Sequence, residues 1–561
     1  MSSHAAPRPA SKGAEAWQTN GIHQPRARRP APSALAQALN GELIAPSSPA
    51  DSLTPAAPRT PLRSSGNSTP APPEDAPPSV KATSAARREL RRKRRLFPTV
   101  EYTSRVSYFD PKSDYGNFRG FFVLFWIGLA IMVITAMLRN LKDTGALLSI
   151  KQWPLFTQNI WELALVDLAM AGSTMLDLPL HLLFKRSRGV LRWNAGGVVI
   201  QSIFQAVWLV VWLCWPFARR WSWTAQVFLT LHTLALFMKL HSYAFYNGHL
   251  SNTLNRLQEL DNISPTTPMD EAVRYPATHF PLTAELSDDH AHSHEKKLPP
   301  VLQLRNDLAE ELTSPLGNVT YPQNLTVANF VDYLLCPTLC YELEYPRTPA
   351  RSYLELFYKA LAVFGCVFLM TVTSEEFILP VLSSSALRLK HTTTFLDAAL
   401  IFAETVSSLL FPFMVTFLLV FLSIFEYVLG FFAEITRFAD RRFYSDWWNS
   451  QDWMEFSREW NIPVHNFFRR HVYEASRTAN LPKPAATALT FFVSAIAHEV
   501  IMGCITRKFR GYGFVLMMLQ IPSVAVQRLP GVREKALLNN VLFWVFMILG
   551  LSLLCALYVL V

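Results

Sequence analysis

Long apolar runs alternate with short polar breaks along most of this chain. Nine apolar stretches stand out, at about 120–138, 159–184, 197–217, 222–242, 355–383, 397–431, 485–505, 511–527 and 538–560. Most approach the roughly 20 residues that cross a bilayer as a helix. Lipid offers backbone groups no partners, so such runs are read as helices. The second run is interrupted by Glu162, Asp167 and Asp177. The sixth is too long for an upright span, so it tilts or continues beyond the membrane. The pattern predicts an all-α integral membrane protein with its membrane domain over residues 119–561.

The polar stretches organise the rest. Residues 1–95 are rich in Pro, Ser and Ala and too polar to offset their ordering entropy, so a disordered tail is expected. Residues 96–118 read as an amphipathic, basic pre-membrane segment. No apolar stretch precedes the first run, which is therefore expected to act as an uncleaved signal. Net charge is +10. The run RRELRRKRRLF, Arg87 to Phe97, suits an anchor on acidic lipid better than a nucleic-acid contact, which is not expected. It places the N-terminus in the cytosol, and nine spans place the C-terminus in the lumen. Arg219, Arg220, Arg507, Lys508 and Arg510 then fall on the lumenal side, against the positive-inside pattern.

Two long connections, 243–354 and 432–484, are cytosolic in this topology. The first is polar and contains DDHAHSHEKK. The spacing of His290, His292 and His294 suits no helix face, so a solvated loop is expected rather than a metal site. The sequons at Asn318 and Asn324 are expected to stay unmodified. Of six cysteines, Cys214, Cys366, Cys504 and Cys555 lie in apolar runs. Cys336 and Cys340, in CPTLC, have no second pair to complete a zinc site and are read as free thiols in a reducing cytosol.

Chemistry concentrates in three places. The seventh run, TALTFFVSAIAHEVIMGCI, carries His498 and Glu499 in an apolar helix. A charge there costs about 2.5–3.5 kcal/mol on insertion scales, so such residues usually face a cavity. Adjacent residues point about 100° apart on a helix, so these two do not form a contacting dyad. Glu499 is expected to pair with a neighbouring helix. Met502 removes the HExxH zinc motif. The second place is SREWNIPVHNFFRRHVY, Ser457 to Tyr473. Asn461 precedes Pro463 as an N-cap should. The alternative is an amide donor near His498. Phe467, Phe468 and Val472 against Arg469, Arg470 and His471 suggest an interfacial helix. Arg458, Arg469 and Arg470 would offer guanidinium groups to phosphate. The third place is FYSDWWN, residues 443–449, with four aromatics in seven positions. There is no Gly-rich phosphate loop and no G-x-S-x-G elbow. One intramembrane histidine with an amide partner suits general-base catalysis without a covalent enzyme intermediate.

FYSDWWN, WNIPVHNF and AIAHEV, in this order, resemble the signature of the membrane-bound O-acyltransferases, in the branch of sterol and diacylglycerol acyltransferases. The resemblance runs from about residue 119 to the C-terminus. MKLHSYAFYNG and CPTLCYELEYPR resemble the fungal acyl-CoA:sterol acyltransferases, and diacylglycerol enzymes typically lack a histidine where His241 stands. The resemblance implies a fold of about nine spans around an intramembrane reaction chamber. It implies His498 as the catalytic histidine and Asn461 as its partner. Phe443, Tyr444, Asp446, Trp447, Trp448 and Asn449 would line the acyl-CoA entrance, with Asp446 and Asn449 holding the loop by hydrogen bonds. Arg458, Trp460, Tyr473, Lys483 and Ser494 would lie near bound coenzyme A, and Gln520 beside the acyl channel. Long-chain acyl-CoA is then a co-substrate, a sterol the acceptor, and no cofactor or metal is needed. An endoplasmic reticulum location, membrane lipid as surroundings, and a dimer or tetramer are also implied. Transfer to diacylglycerol is the alternative within the branch. A membrane transporter is the alternative outside it, although no inverted repeat is visible.

Overall fold

The computed structural model describes residues 97–110, 113, 119–148, 151–187, 189–263 and 300–561. The tail over 1–95 and the three histidines of DDHAHSHEKK lie outside the described residues. Thirteen helices carry the argument. They are α1 Arg119–Thr144, α2 Ile160–Arg186, α3 Trp193–Ala218, α4 Trp223–Ile263 and α5 Pro300–Glu311. They continue with α6 Val327–Leu335, α7 Tyr353–His391, α8 Phe395–Thr436, α9 Trp453–Glu459 and α10 Ile462–Phe468. The last are α11 Lys483–Thr506, α12 Tyr512–Gln527 and α13 Ala536–Leu560. Among the described residues, extended pairing is limited to isolated bridges such as Arg105 with Asp440 and Arg347 with Phe438.

Seven of these helices, α1, α2, α3, α7, α8, α11 and α13, are long and apolar enough to cross a membrane. They correspond to seven of the nine predicted runs. The fourth run forms the first half of α4, a 41-residue helix in which Lys239 and His241 close the run and Asn247 lies beyond it. The eighth is α12. At 1.5 Å per residue it reaches about 24 Å, short of a full crossing of about 30 Å. The overlong sixth run is α8, which spans 42 residues and outruns the hydrocarbon. Thr394 caps its start by accepting from the Asp397 N–H, and a wide turn over Leu422–Val428 interrupts its far end.

The connection 243–354 is not a solvated loop throughout. Its later part packs into the main core, with Tyr333, Tyr341, Leu343 and Tyr345 buried. The reason lies in two polar clamps from α4. Lys239 Nζ donates to the carbonyls of Tyr333, Cys336 and Thr338 at 3.0, 2.7 and 2.7 Å. Ser242 Oγ accepts from the Tyr341 N–H at 2.9 Å. A buried ammonium is tolerated when each proton has a partner, and this one fixes the CPTLC turn. Cys336 and Cys340 are buried thiols, and burial pushes Cys340 up to about 12. Asn324 is 2 % exposed and donates to Asn247 Oδ1 at 2.7 Å and Tyr341 Oη at 3.0 Å, so its sequon is closed in the folded chain.

Of the pre-membrane segment, residues 97–110 form a non-helical strap. It threads across the same end of the bundle as the 432–484 connection. Arg105 pairs with Asp440 at 2.7 and 2.6 Å, while the Arg105 N–H donates to the Ala439 carbonyl. The Phe97 and Val100 N–H groups donate to Glu311 and Glu342. At the opposite end, Arg219 pairs with Glu162 at 2.6 Å and Arg507 donates to the Trp221 carbonyl at 2.8 Å. These arginines, which broke the positive-inside pattern, are thus locally partnered.

Candidate active site

Trp447 is the hub of FYSDWWN. It is 1 % exposed, and its ring meets Trp460, Phe421, Phe417 and Trp544 at centroid distances of 4.9, 5.1, 5.5 and 5.5 Å. Trp460 in turn stacks on Phe417 at 4.7 Å with planes 11° apart. Aromatic pairs at these spacings add about 0.5–1.5 kcal/mol each beyond area burial. Phe443 and Tyr444 are also buried. The Tyr444 hydroxyl donates to Glu426 at 3.1 Å and meets Ser107 of the strap at 3.1 Å. The segment is therefore the wall of an aromatic core between α8, α9 and α13.

The loop is held mostly by groups outside the motif. The Asn449 N–H donates to the Asp446 carbonyl, and the Ser445 N–H to the Glu459 carbonyl. Asn540 Nδ2 donates to the carbonyls of Trp448 and Ser450 at 3.0 Å each, and Trp544 Nε1 to Trp448 at 3.1 Å. The Asp446 carboxylate accepts from Ser445 Oγ at 3.0 Å. The Asn449 side chain is exposed and makes no hydrogen bond among the described residues, so it does not hold the loop as expected. Asn540 and Trp544 were missed by sequence reasoning. The available signal was an amide and an indole at the start of an otherwise apolar last run.

Asn461 caps α10. Its Oδ1 accepts from the Val464 N–H at 3.1 Å, with Pro463 in the first turn. This bond fixes which way the amide faces. Nδ2 has no hydrogen-bond partner among the described residues. The segment that follows winds wide over Arg469–Glu474 and packs on α11. Arg470 departs from expectation. It is 4 % exposed, donates to the Tyr341 carbonyl and Glu342, and lies 4.7 Å from the rings of Phe97 and Tyr246. It is a structural cation and cannot serve a phosphate, so the interfacial-helix pattern fails here. Arg458 stays exposed, and Arg469 sits loosely at 3.9 Å from Glu474. Burial, with Arg469 and Arg458 beside it, pulls His465 down to about 4.

On α11 the neighbours His498 and Glu499 separate as their spacing requires. Glu499 accepts from the Gly511 and Phe514 N–H groups at 2.8 and 3.2 Å and from the Tyr558 hydroxyl at 2.8 Å. It holds the start of α12 against α11 and α13. His498 takes the other direction. Its Nδ1 lies 2.8 Å from the Ser494 carbonyl. A carbonyl only accepts, so Nδ1 carries the proton and Nε2 of the neutral ring keeps its lone pair. The residue keeps more than a third of its surface exposed. No hydrogen bond joins His498 to Asn461. Of the other predicted residues, Tyr473 and Ser494 are half-buried near this helix, Lys483 is exposed at its start, and Gln520 Nε2 contacts Met517 Sδ at 3.4 Å.

These features place one oriented histidine in an apolar helix bundle and an aromatic-walled loop on the 432–484 connection. The chain belongs to the membrane-bound O-acyltransferase (MBOAT) family, which it matches over residues 200–560. It is 38% identical over 480 residues to the probable sterol O-acyltransferase 2 of Schizosaccharomyces pombe, covering 84% of this chain and 94% of that protein. It is 32% identical over 468 residues to sterol O-acyltransferase 2 of Saccharomyces cerevisiae, covering 82% and 69%. Diacylglycerol O-acyltransferase 1C of Glycine max is 32% identical over 260 residues, covering 46% of this chain and 49% of that protein.

Proposed function

We propose that this chain is an acyl-CoA:sterol O-acyltransferase, making steryl esters from a long-chain acyl-CoA and a sterol 3β-hydroxyl. The observation that supports the mechanism is the His498 ring, held through Nδ1–H on the Ser494 carbonyl, which leaves the basic Nε2 without a hydrogen-bond partner among the described residues. As the hydroxyl oxygen attacks the thioester carbonyl, Nε2 takes its proton. The tetrahedral centre then expels the sulfur, and the imidazolium returns the proton to the coenzyme A thiolate. One C–O bond forms, one C–S bond breaks, and the base is regenerated. A base so placed contributes about 10²–10⁴-fold. Asn461 Nδ2 donates to the carbonyl oxygen as charge builds there, a term worth about 3–4 kcal/mol where such donors have been removed.

The aromatic wall of Phe443, Tyr444, Trp447, Trp448 and Trp460 borders the acyl-CoA entrance, with Asp446, Asn449, Tyr473, Ser494 and Gln520 further along the path. Arg458 and Lys483 are exposed cations available to the phosphates. The entrance faces the cytosol, where the nucleotide stays hydrated, and the sterol arrives from the bilayer. The protein works in the endoplasmic reticulum membrane as a dimer or tetramer, with its N-terminus cytosolic. His498→Ala tests the assignment. Turnover should fall by at least about 10²-fold, while the melting temperature holds, because the ring makes one hydrogen bond within its own helix. Ester synthesis near the parental rate by the folded variant would remove His498 as the base.

A further inference from the structure

A second polar feature lies outside this site, where α8 ends and α7 begins. Here Arg347, Arg351, Arg437 and Asp332 line a cavity of about 270 Å³. Arg347 is spent, since it pairs with Asp332 and donates to the Thr436 carbonyl. Arg351 and Arg437 are not. Arg351 uses Nε on the Ile435 carbonyl at 2.7 Å, and Arg437 uses Nη1 on the Pro349 carbonyl at 3.4 Å. Neither has a carboxylate partner among the described residues. Two charged guanidinium forks therefore keep free N–H groups on an open cavity, and such forks match phosphate geometry.

The surroundings say what brings the phosphate. Helix α6, which supplies Asp332 and Leu335 to the cavity, is amphipathic, with Phe330 and Tyr333 buried on one face. Its outer face shows Val327, Val331 and Leu335 at 53%, 37% and 42% exposure, spaced four residues apart in one stripe. Directly after Arg351, α7 shows Tyr353, Leu354 and Phe357 outward. An amphipathic helix with an apolar stripe beside basic groups lies in the membrane interface. The cavity thus sits at headgroup depth, bordered by residues that face acyl chains. Its volume is below that of most pockets that hold a drug-sized ligand whole. It suits a headgroup whose chains remain outside.

We propose that Arg351 and Arg437, at the junction of α7 and α8, form a binding site for the headgroup of an acidic phospholipid. A basic residue at an acidic surface gains about fivefold in affinity, so the pair gains about 25-fold over neutral lipid. The site is independent of the acyl-transfer reading, and its test does not use activity. The full chain is reconstituted in phosphatidylcholine nanodiscs carrying a minor fraction of phosphatidylserine, and the lipid retained after extraction is measured by native mass spectrometry. The wild type should retain phosphatidylserine well above its bulk share. Arg351→Gln/Arg437→Gln should return retention to the bulk share. Equal retention by both proteins overturns the proposal. So does a wild type that shows no headgroup preference, a result that requires no variant to fold. A third arm adds inorganic phosphate to the phosphatidylcholine nanodiscs alone. A thermal shift matching that given by phosphatidylserine would mean a site for free phosphate and would also overturn the lipid assignment.

Discussion

In the proposed mechanism the Asn461 side chain divides its two ends between folding and chemistry. Oδ1 accepts from the Val464 N–H, and Nδ2 is left to donate. The two roles can be separated by substitution. Aspartate keeps the capping oxygen but has no amide donor. Asn461→Asp should hold the melting temperature and lose turnover, with kcat falling more than KM rises. Asn461→Ala should lose both, with about 1 kcal/mol gone from the cap. Equal activity in wild type and Asn461→Asp would reduce Asn461 to a cap. Glu459 offers a second test beside FYSDWWN. Burial first, then the carboxylates of Asp446, Glu455 and Asp452, push it from the usual 4.5 up to about 7. The folded state therefore holds a proton that the unfolded state has released. Stability falls as pH rises from about 4.5 to 7, and the penalty is complete above that. Glu459→Gln should raise the melting temperature at pH 8 and leave it unchanged at pH 4. A gain of equal size at both pH values would contradict this.

Two elements fix the frame around the site. Helix α4 carries Gly248 against α3, and a Cβ there would lie 2.0 Å from the Trp193 ring, which is itself buried. Gly248→Ala should cost about 1–3 kcal/mol through overpacking, read as a lower melting temperature of the purified protein. The strap over 97–110 is the other element. Arg105→Ala leaves Asp440, 3% exposed, with only the Thr103 N–H from the strap. The expected loss is roughly 1–3 kcal/mol, less than for a fully buried pair because the guanidinium is partly exposed. The strap was illegible in sequence for a physical reason. It earns its place through backbone N–H groups given to distant carboxylates, Glu311, Glu342 and Asp440, and such long-range pairing leaves no periodic pattern. Arg470 misled for a related reason. Its run alternates like a surface helix, and only the wide turn over 469–474 turns the guanidinium inward onto Glu342.

Across the whole molecule, hydropathy alone placed seven spans, because a helix that faces lipid on one side must be apolar along its length. It could not separate α12 from a full crossing, nor see that α4 continues for 41 residues, since burial inside a bundle admits polar side chains that lipid would not. The motifs singled out His498, yet its Nδ1 bond to the Ser494 carbonyl and the diversion of Glu499 onto α12 emerge only from three-dimensional contacts. Orientation can be checked at this scale. A cysteine introduced at exposed Arg458 should react with an impermeant maleimide in sealed microsomes, as a cytosolic entrance requires. Protection until detergent is added would invert the topology. The most direct measurement supplies labelled oleoyl-CoA with a sterol or diacylglycerol to microsomes from cells that lack neutral-lipid synthesis, with His498→Ala alongside. The account predicts label in steryl ester, absent from the variant. Label in triacylglycerol, or steryl ester formed equally by the variant, would contradict it.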